Sequence, residues 1–185
     1  IPKLQNLSTL QLSILIPSFM MFFVGIGYKI ACVPFHMWAP DVYEGSPIPV
    51  TTLFSIVPKV AGIAALVRIT MVFFSKEGAL QDSWIIILQV IAVLTMFVGN
   101  ISAIDQRSVK RMLAYSSIAQ IGYMLLGISL LTEEGVTATF VNLFNHGITK
   151  ATLFMSLGVL TLHSGRSFLS SLQGVGKKMP WISSS

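Results

Sequence analysis

Three lysines stand inside apolar runs of this sequence: Lys29 in GYKIACVPFHMW, Lys59 in FSIVPKVAG and Lys150 in NHGITKATLF. An ionised lysine at the centre of a bilayer costs about 3 kcal/mol on insertion scales. Such an amine must face a hydrated bundle interior or give up its proton. Burial disfavours the ammonium form, so a lysine held there exchanges its proton more readily than one in water. The chemistry this points to is proton transfer. His146 lies four residues before Lys150, which puts the two side chains on one helix face. Asn142 continues that face, and Asn145 lies close to it. An imidazole followed one turn later by an amine suits a proton relay. Plainer roles compete: Lys29 snorkels if its crossing is short, and His146 packs helices with its ring bonded to a backbone carbonyl. Arg68 lies nearer the end of its run, where snorkelling is enough, and is assigned no role.

A lysine whose charge is to be modulated usually has an acidic partner. All seven acids, Asp41, Glu44, Glu77, Asp82, Asp105, Glu133 and Glu134, are read here into loops. The partner is therefore expected on polypeptide outside this chain. Pro34 and His36 fall in PFHMW, where proline removes a helix donor and frees a carbonyl one turn back. Broken helices are tolerated in membranes when they line a cavity, so Pro34 and His36 are read as a kink beside a channel, against a simple re-entry loop. Trp38, Tyr43, Trp84 and Trp181 read as an anchoring belt at the interfaces. With one cysteine, Cys32, no disulfide framework or Cys/His metal spacing is available. Neither a GxGxxG nor a Walker loop is present, so no nucleotide site and no cofactor or metal site is expected on this chain.

The elements that must hold these residues follow from composition. Of 185 residues, 54% are hydrophobic and 10% charged, with a mean hydropathy of +0.78. Soluble domains carry roughly a quarter charged residues, so the class is all-α integral membrane protein. Net charge is +5. In this class that excess marks loops kept on the inner side of a membrane, not nucleic-acid binding. At about 20 apolar residues per crossing, about five transmembrane helices are predicted: Leu10–Trp38, long and broken, then Pro47–Phe74, Trp84–Ile104, Leu113–Leu131 and Val136–His163. The loops APDVYEGSP, SKEGALQDS, DQRSVKRM and TEEG join them. Residues 1–185 read as a single membrane domain, with 164–185 a surface or loop tail. Arg107, Lys110, Arg111, Arg166, Lys177 and Lys178 gather on one side and Lys3 and Lys76 on the other, which puts the PFHMW end of the first crossing inward. The start at Ile1 and the missing acidic partner are read as signs of a fragment.

With these elements in place, PFHMWAPDVYEGSPIPV, preceded by Lys29 and followed by Lys59, resembles the N-type antiporter-like subunit of respiratory complex I, known in mitochondria as subunit 2 of NADH dehydrogenase. AIDQRSVKRMLAYSSIAQIGYMLLG and NHGITKATLF resemble two further signatures of the same proton-conducting antiporter superfamily. LFNHGITKATLF and LQGVGKKMPW are also similar to the D-type component of the multi-subunit Mrp-type cation/proton antiporters. The resemblance implies a fourteen-helix antiporter-like fold of two inverted five-helix repeats, of which this chain supplies helices seven to eleven. It implies that Lys29, Lys59 and Lys150 with His146 form part of a proton path, while a glutamate on helix five and an ionisable group on helix twelve lie elsewhere. The expected function is proton translocation by a non-redox membrane-arm subunit of NADH:quinone oxidoreductase, with NAD, FMN, iron–sulfur clusters and quinone on partner subunits. The expected location is a bacterial inner membrane or, alternatively, the mitochondrial inner membrane. The rival readings are an Mrp-type Na+/H+ antiporter component and a structural membrane scaffold.

Overall fold

The computed structural model describes residues 9–73, 79–164 and 168–169, and the described elements are helical. They run α1 (Thr9–Ile30), α2 (Trp38–Gly45), α3 (Ile48–Phe73), α4 (Ala79–Ile104), α5 (Val109–Ser129) and α6 (Glu133–Ser164). By length and composition, Ile48–Phe73, Gln81–Ile104 and Val109–Ser129 can each cross a membrane, and Pro17–Ile30 is a shorter apolar stretch. The fifth predicted crossing lies within α6, which is 32 residues long and carries Asn142, Asn145, His146 and Lys150 along its middle.

The first crossing is broken, but not where or how the sequence suggested. Helix α1 ends at Ile30 because Ala31 turns into the left-handed region, with φ 61°. The Ala31 N–H then donates to the Tyr28 carbonyl at 3.1 Å and the Cys32 N–H to Gly27 at 3.0 Å. This is the paired-bond helix ending in which glycine usually takes the left-handed place. Pro34 comes three residues after that ending, so it lies in the turn and does not cause the break. The turn is held on two sides. The Val33 N–H donates to the Thr95 hydroxyl of α4 at 3.1 Å. The Trp38 indole donates back to the Tyr28 carbonyl at 2.8 Å and stacks on the Tyr28 ring.

Ile30 packs directly on Gly62, near the middle of α3. The break is therefore halfway along the bundle, and the predicted Leu10–Trp38 crossing is really α1, a turn and α2. Most of the APDVYEGSP loop is the second half of that broken helix. Pro40 fits because it sits in the first turn of α2, where no helical N–H bond is required. Pro34 and His36 thus lie at mid-depth, not at the inward end.

Two other connections differ in detail. The turn between α5 and α6 is Leu130–Thr132, with Leu131 at φ 53°. Glu133 and Glu134 open α6, where acidic side chains suit the helix dipole. Asp41 and Glu44 are on α2 and Asp82 is in the first turn of α4, so these acids are helical, not in loops. Most of the predicted tail at 164–185 lies outside the described residues. Phe168 makes an isolated antiparallel bridge with Ser108, and the Leu169 N–H donates to Arg107 at 3.1 Å.

Helices α4 and α5 form the tightest pair. Without a hydrophobic drive between helices in lipid, small residues that allow close backbone approach decide such contacts. Gly99 and Gly122 do this: a Cβ on Gly99 would stand 2.6 Å from the Ala119 nitrogen, and one on Gly122 would stand 2.8 Å from the Ala92 carbonyl. Trp84 is buried against Phe19 and Phe23, and Tyr43 is buried as well, so neither belongs to an interfacial belt. Trp181 lies outside the described residues. Replacing Gly122 with Ala should destabilise the α4–α5 pair by about 1–3 kcal/mol, read as a lower unfolding midpoint of the detergent-extracted protein, whereas Gly25→Ala, at an open surface position, should leave it in place.

Candidate functional site

Helix α3 carries Lys59 directly after Pro58. Proline has no N–H, so the Phe54 carbonyl one turn back loses its helical donor. The Tyr43 hydroxyl of α2 supplies one at 3.3 Å. Tyr43 is fully buried, its ring edge-on to Phe154 at 6.0 Å, and its carbonyl accepts from the Thr51 hydroxyl at 3.3 Å. The Lys59 ammonium lies 5.8 Å from the centre of the Tyr43 ring, within the range of a cation–π contact. Lys59 is 2% exposed, and among the described residues its Nζ has no hydrogen-bond partner.

Helix α6 faces it with His146, 5% exposed, and Lys150, 2% exposed. The His146 ring lies beside the Ser55 backbone carbonyl of α3, one turn before Lys59. Its Nε2 has no partner among the described residues. Lys150 Nζ donates to the Leu113 carbonyl of α5 at 2.9 Å, an oxygen that also accepts from the Ser117 hydroxyl at 3.0 Å. The charges of Lys59, His146 and Lys150 lie within Coulombic reach of one another. The described acids are elsewhere. Asp105, Asp82, Glu133 and Glu134 are exposed, and Asp41 and Glu44 pair with Arg111.

Three of the four predicted path residues, Lys59, His146 and Lys150, therefore meet in one buried cluster. Lys29 does not join them: it sits in the last turn of α1 with its side chain exposed on the bundle's flank. Asn142 is half-buried and Asn145 exposed, so Asn145 is off the basic face. His36 is buried in the break with its ring 6.5 Å from Tyr115 and its Nδ1 unpartnered among the described residues, while Pro34 is exposed. The sequence reading missed Tyr43 and Pro58. A proline directly before a lysine in an apolar run does announce a freed carbonyl. Nothing local says that a tyrosine fifteen residues earlier will claim it.

The cluster's lower wall is fastened by charge. Lys110 Nζ donates to the Glu44 carbonyl at 3.2 Å and the Ser46 carbonyl at 2.8 Å, closing the C-terminus of α2. Arg111 bridges Asp41 and Glu44. Two basic residues predicted as a loop signal thus lie in the first turn of α5 and clamp α2, the helix that carries Tyr43.

Comparison with known proteins adds to this geometry. A family model described as NADH:quinone oxidoreductase/Mrp antiporter, TM, matches residues 2–185. NADH-quinone oxidoreductase subunit N of Chlorobium chlorochromatii is 41% identical over 174 residues, covering 88% of this chain and 34% of that protein. A chain of the archaeal membrane-bound sulfane sulfur reductase is 38% identical with a TM-score of 0.80, covering 86% of this chain and 32% of that one. A chain of respiratory complex I from Thermus thermophilus, solved with bound aureothin, is 33% identical with a TM-score of 0.66, covering 85% and 33%. The chain thus spans about a third of the length of the relatives it matches.

Cys32, fully buried in the break, reports on the clamp. Lys110→Met should uncap α2 and speed maleimide labelling of Cys32 by about fivefold, the size expected when roughly 1 kcal/mol of capping is lost, measured by mass spectrometry of the labelled peptide. Arg111→Gln alone should change it less, because Asp41 is exposed and solvent screens that pair.

Proposed function

Because the chain belongs to the NADH:quinone oxidoreductase/Mrp antiporter membrane family, we propose that it is part of a proton-translocating, non-redox membrane-arm subunit of an NADH:quinone oxidoreductase, and that Lys59, His146 and Lys150 carry protons across its middle. The observation behind this reading is the buried cluster itself: two amines and an imidazole on facing helices, with no acid among the described residues to fix them in the charged state. A permanent structural charge in this setting would call for a counter-ion. Groups that trade a proton do not, because charge on one disfavours charge on the next and the two can alternate.

In this mechanism Lys29, exposed on the flank of α1, exchanges protons with polypeptide beyond this chain. Lys59 passes a proton toward Lys150, with His146 between the elements as an intermediate acceptor. The broken crossing fits such a path, since interrupted helices in membranes line cavities. Electron transfer from NADH through FMN and iron–sulfur clusters to quinone takes place on partner subunits and drives the alternation. The end bearing Arg107, Lys110 and Arg111 faces the cytoplasm of a bacterial cell, in keeping with the excess of basic residues there.

The family description also covers Mrp antiporters, and the cluster serves an ion-exchange path equally well. Gentle detergent extraction of the native assembly separates the two: flavin and iron–sulfur absorbance with NADH oxidation places it in the oxidoreductase, and a colourless set of small membrane subunits places it among the antiporters. In the intact complex, Lys59→Ala should lower NADH-driven proton pumping at least about tenfold with assembly preserved; a normal pumping rate would exclude Lys59 from the path. Lys150→Ala should show the same loss.

A further inference from the structure

We propose that Tyr43 is the positioning residue for Lys59: its hydroxyl holds open the proline-interrupted turn of α3, and its ring face stands in for a missing counter-ion. The proposal rests on the reading of Lys59 as a proton carrier and adds what keeps that carrier usable.

Pro58 leaves the Phe54 carbonyl without a helical donor, and the Tyr43 hydroxyl supplies it at 3.3 Å. The local shape of α3 one residue before Lys59 therefore depends on α2. The ammonium lies 5.8 Å from the ring centre, and Lys59 Nζ has no hydrogen-bond partner among the described residues. A carboxylate would hold the lysine charged and tie it down. An aromatic face attracts the cation more weakly and accepts no proton, so the amine is stabilised without a competing base. The ring is itself fixed, by Phe154 edge-on at 6.0 Å and by the Lys110 cap on α2. The other groups facing the amine, His146 and Lys150, are basic and oppose its charge. Among the described residues the ring is the attractive element of the site.

The experiment uses the intact complex in sealed membrane vesicles, with pumping rates normalised to assembled complex. Tyr43 is replaced by phenylalanine, then by 3,5-difluorophenylalanine and 3,4,5-trifluorophenylalanine, which keep shape while draining the ring face of electron density. Loss of the hydroxyl in Tyr43→Phe should lower the rate about threefold. The fluorinated rings should lower it further in order of fluorine content, to about tenfold below the phenylalanine form. A role in packing alone predicts the same rate for all three rings, and that result overturns the proposal. Tyr43→Leu, if it assembles, should match or exceed the trifluoro loss; a rate equal to Tyr43→Phe overturns the proposal too. Lys59→Ala in the same vesicles separates the layers. Normal pumping there overturns both the proton path and the role of Tyr43. Reduced pumping with a flat fluorine series overturns the role of Tyr43 alone.

Discussion

Backbone groups inside a lipid bilayer have no water to fall back on, so every interruption of a helix has to be answered by another part of the protein. This chain interrupts helices twice within one small region. Ala31 ends α1 halfway along the bundle, and Pro58 removes a donor from α3. The first is answered by the α1 ending itself, by Thr95 from α4 and by the Trp38 indole. The second is answered by Tyr43. The repairs come from α1 itself, from Thr95 of α4 and from Trp38 and Tyr43 of α2, and together they tie α2 to α1 and α3 and the break to α4. The basic cluster is built on those repairs: Lys59 follows Pro58, and Tyr43, whose hydroxyl bonds the carbonyl that Pro58 frees, has its ring beside the lysine.

Charge then decides what the cluster can do. Lys59, His146 and Lys150 repel one another when charged, and the hydrogen bond that Lys150 makes is to the backbone carbonyl of Leu113, not to a carboxylate. Carbonyls accept from a neutral amine as well as from a charged one. They hold position without fixing protonation, in contrast to the ion pairs of Arg111 with Asp41 and Glu44. Among the described residues the acids and the buried bases are therefore kept apart, with ion pairs at the clamp and unpaired bases in the centre.

Much of this was legible in the sequence and some was not. Lys59, Lys150 and His146 stand out because charge in an apolar run and a spacing of four residues are local signals. The break in the first crossing was also legible, but its cause was misread. Pro34 is conspicuous, whereas Ala31 adopts a left-handed conformation that its own side chain does not favour, and only tertiary contacts select it. The helix α2 was hidden for a related reason: Pro40, Asp41 and Gly45 read as loop chemistry, and the helix is held by Lys110 and Arg111 from more than sixty residues away. Tyr43 and Trp84 were read as interfacial because tyrosine and tryptophan usually are. Their burial follows from partners on other helices, Phe54 for one and Thr70 for the other.

Helix α6 has no proline along its 32 residues, while α3 carries one beside its lysine. The two sides of the cluster therefore differ mechanically. On α6, His146 and Lys150 are marks on a ruler, about 6 Å apart along the axis at 1.5 Å per residue, and that spacing stays constant as long as the helix does. On α3, the lysine rides on a joint. A small change of backbone angle at Pro58, where one helical hydrogen bond is missing, shifts Lys59 relative to both marks at once without altering the distance between them. The span between the helices is the adjustable one, so a push delivered along α2 through the Tyr43 hydroxyl alters the distance from Lys59 to the two α6 side chains.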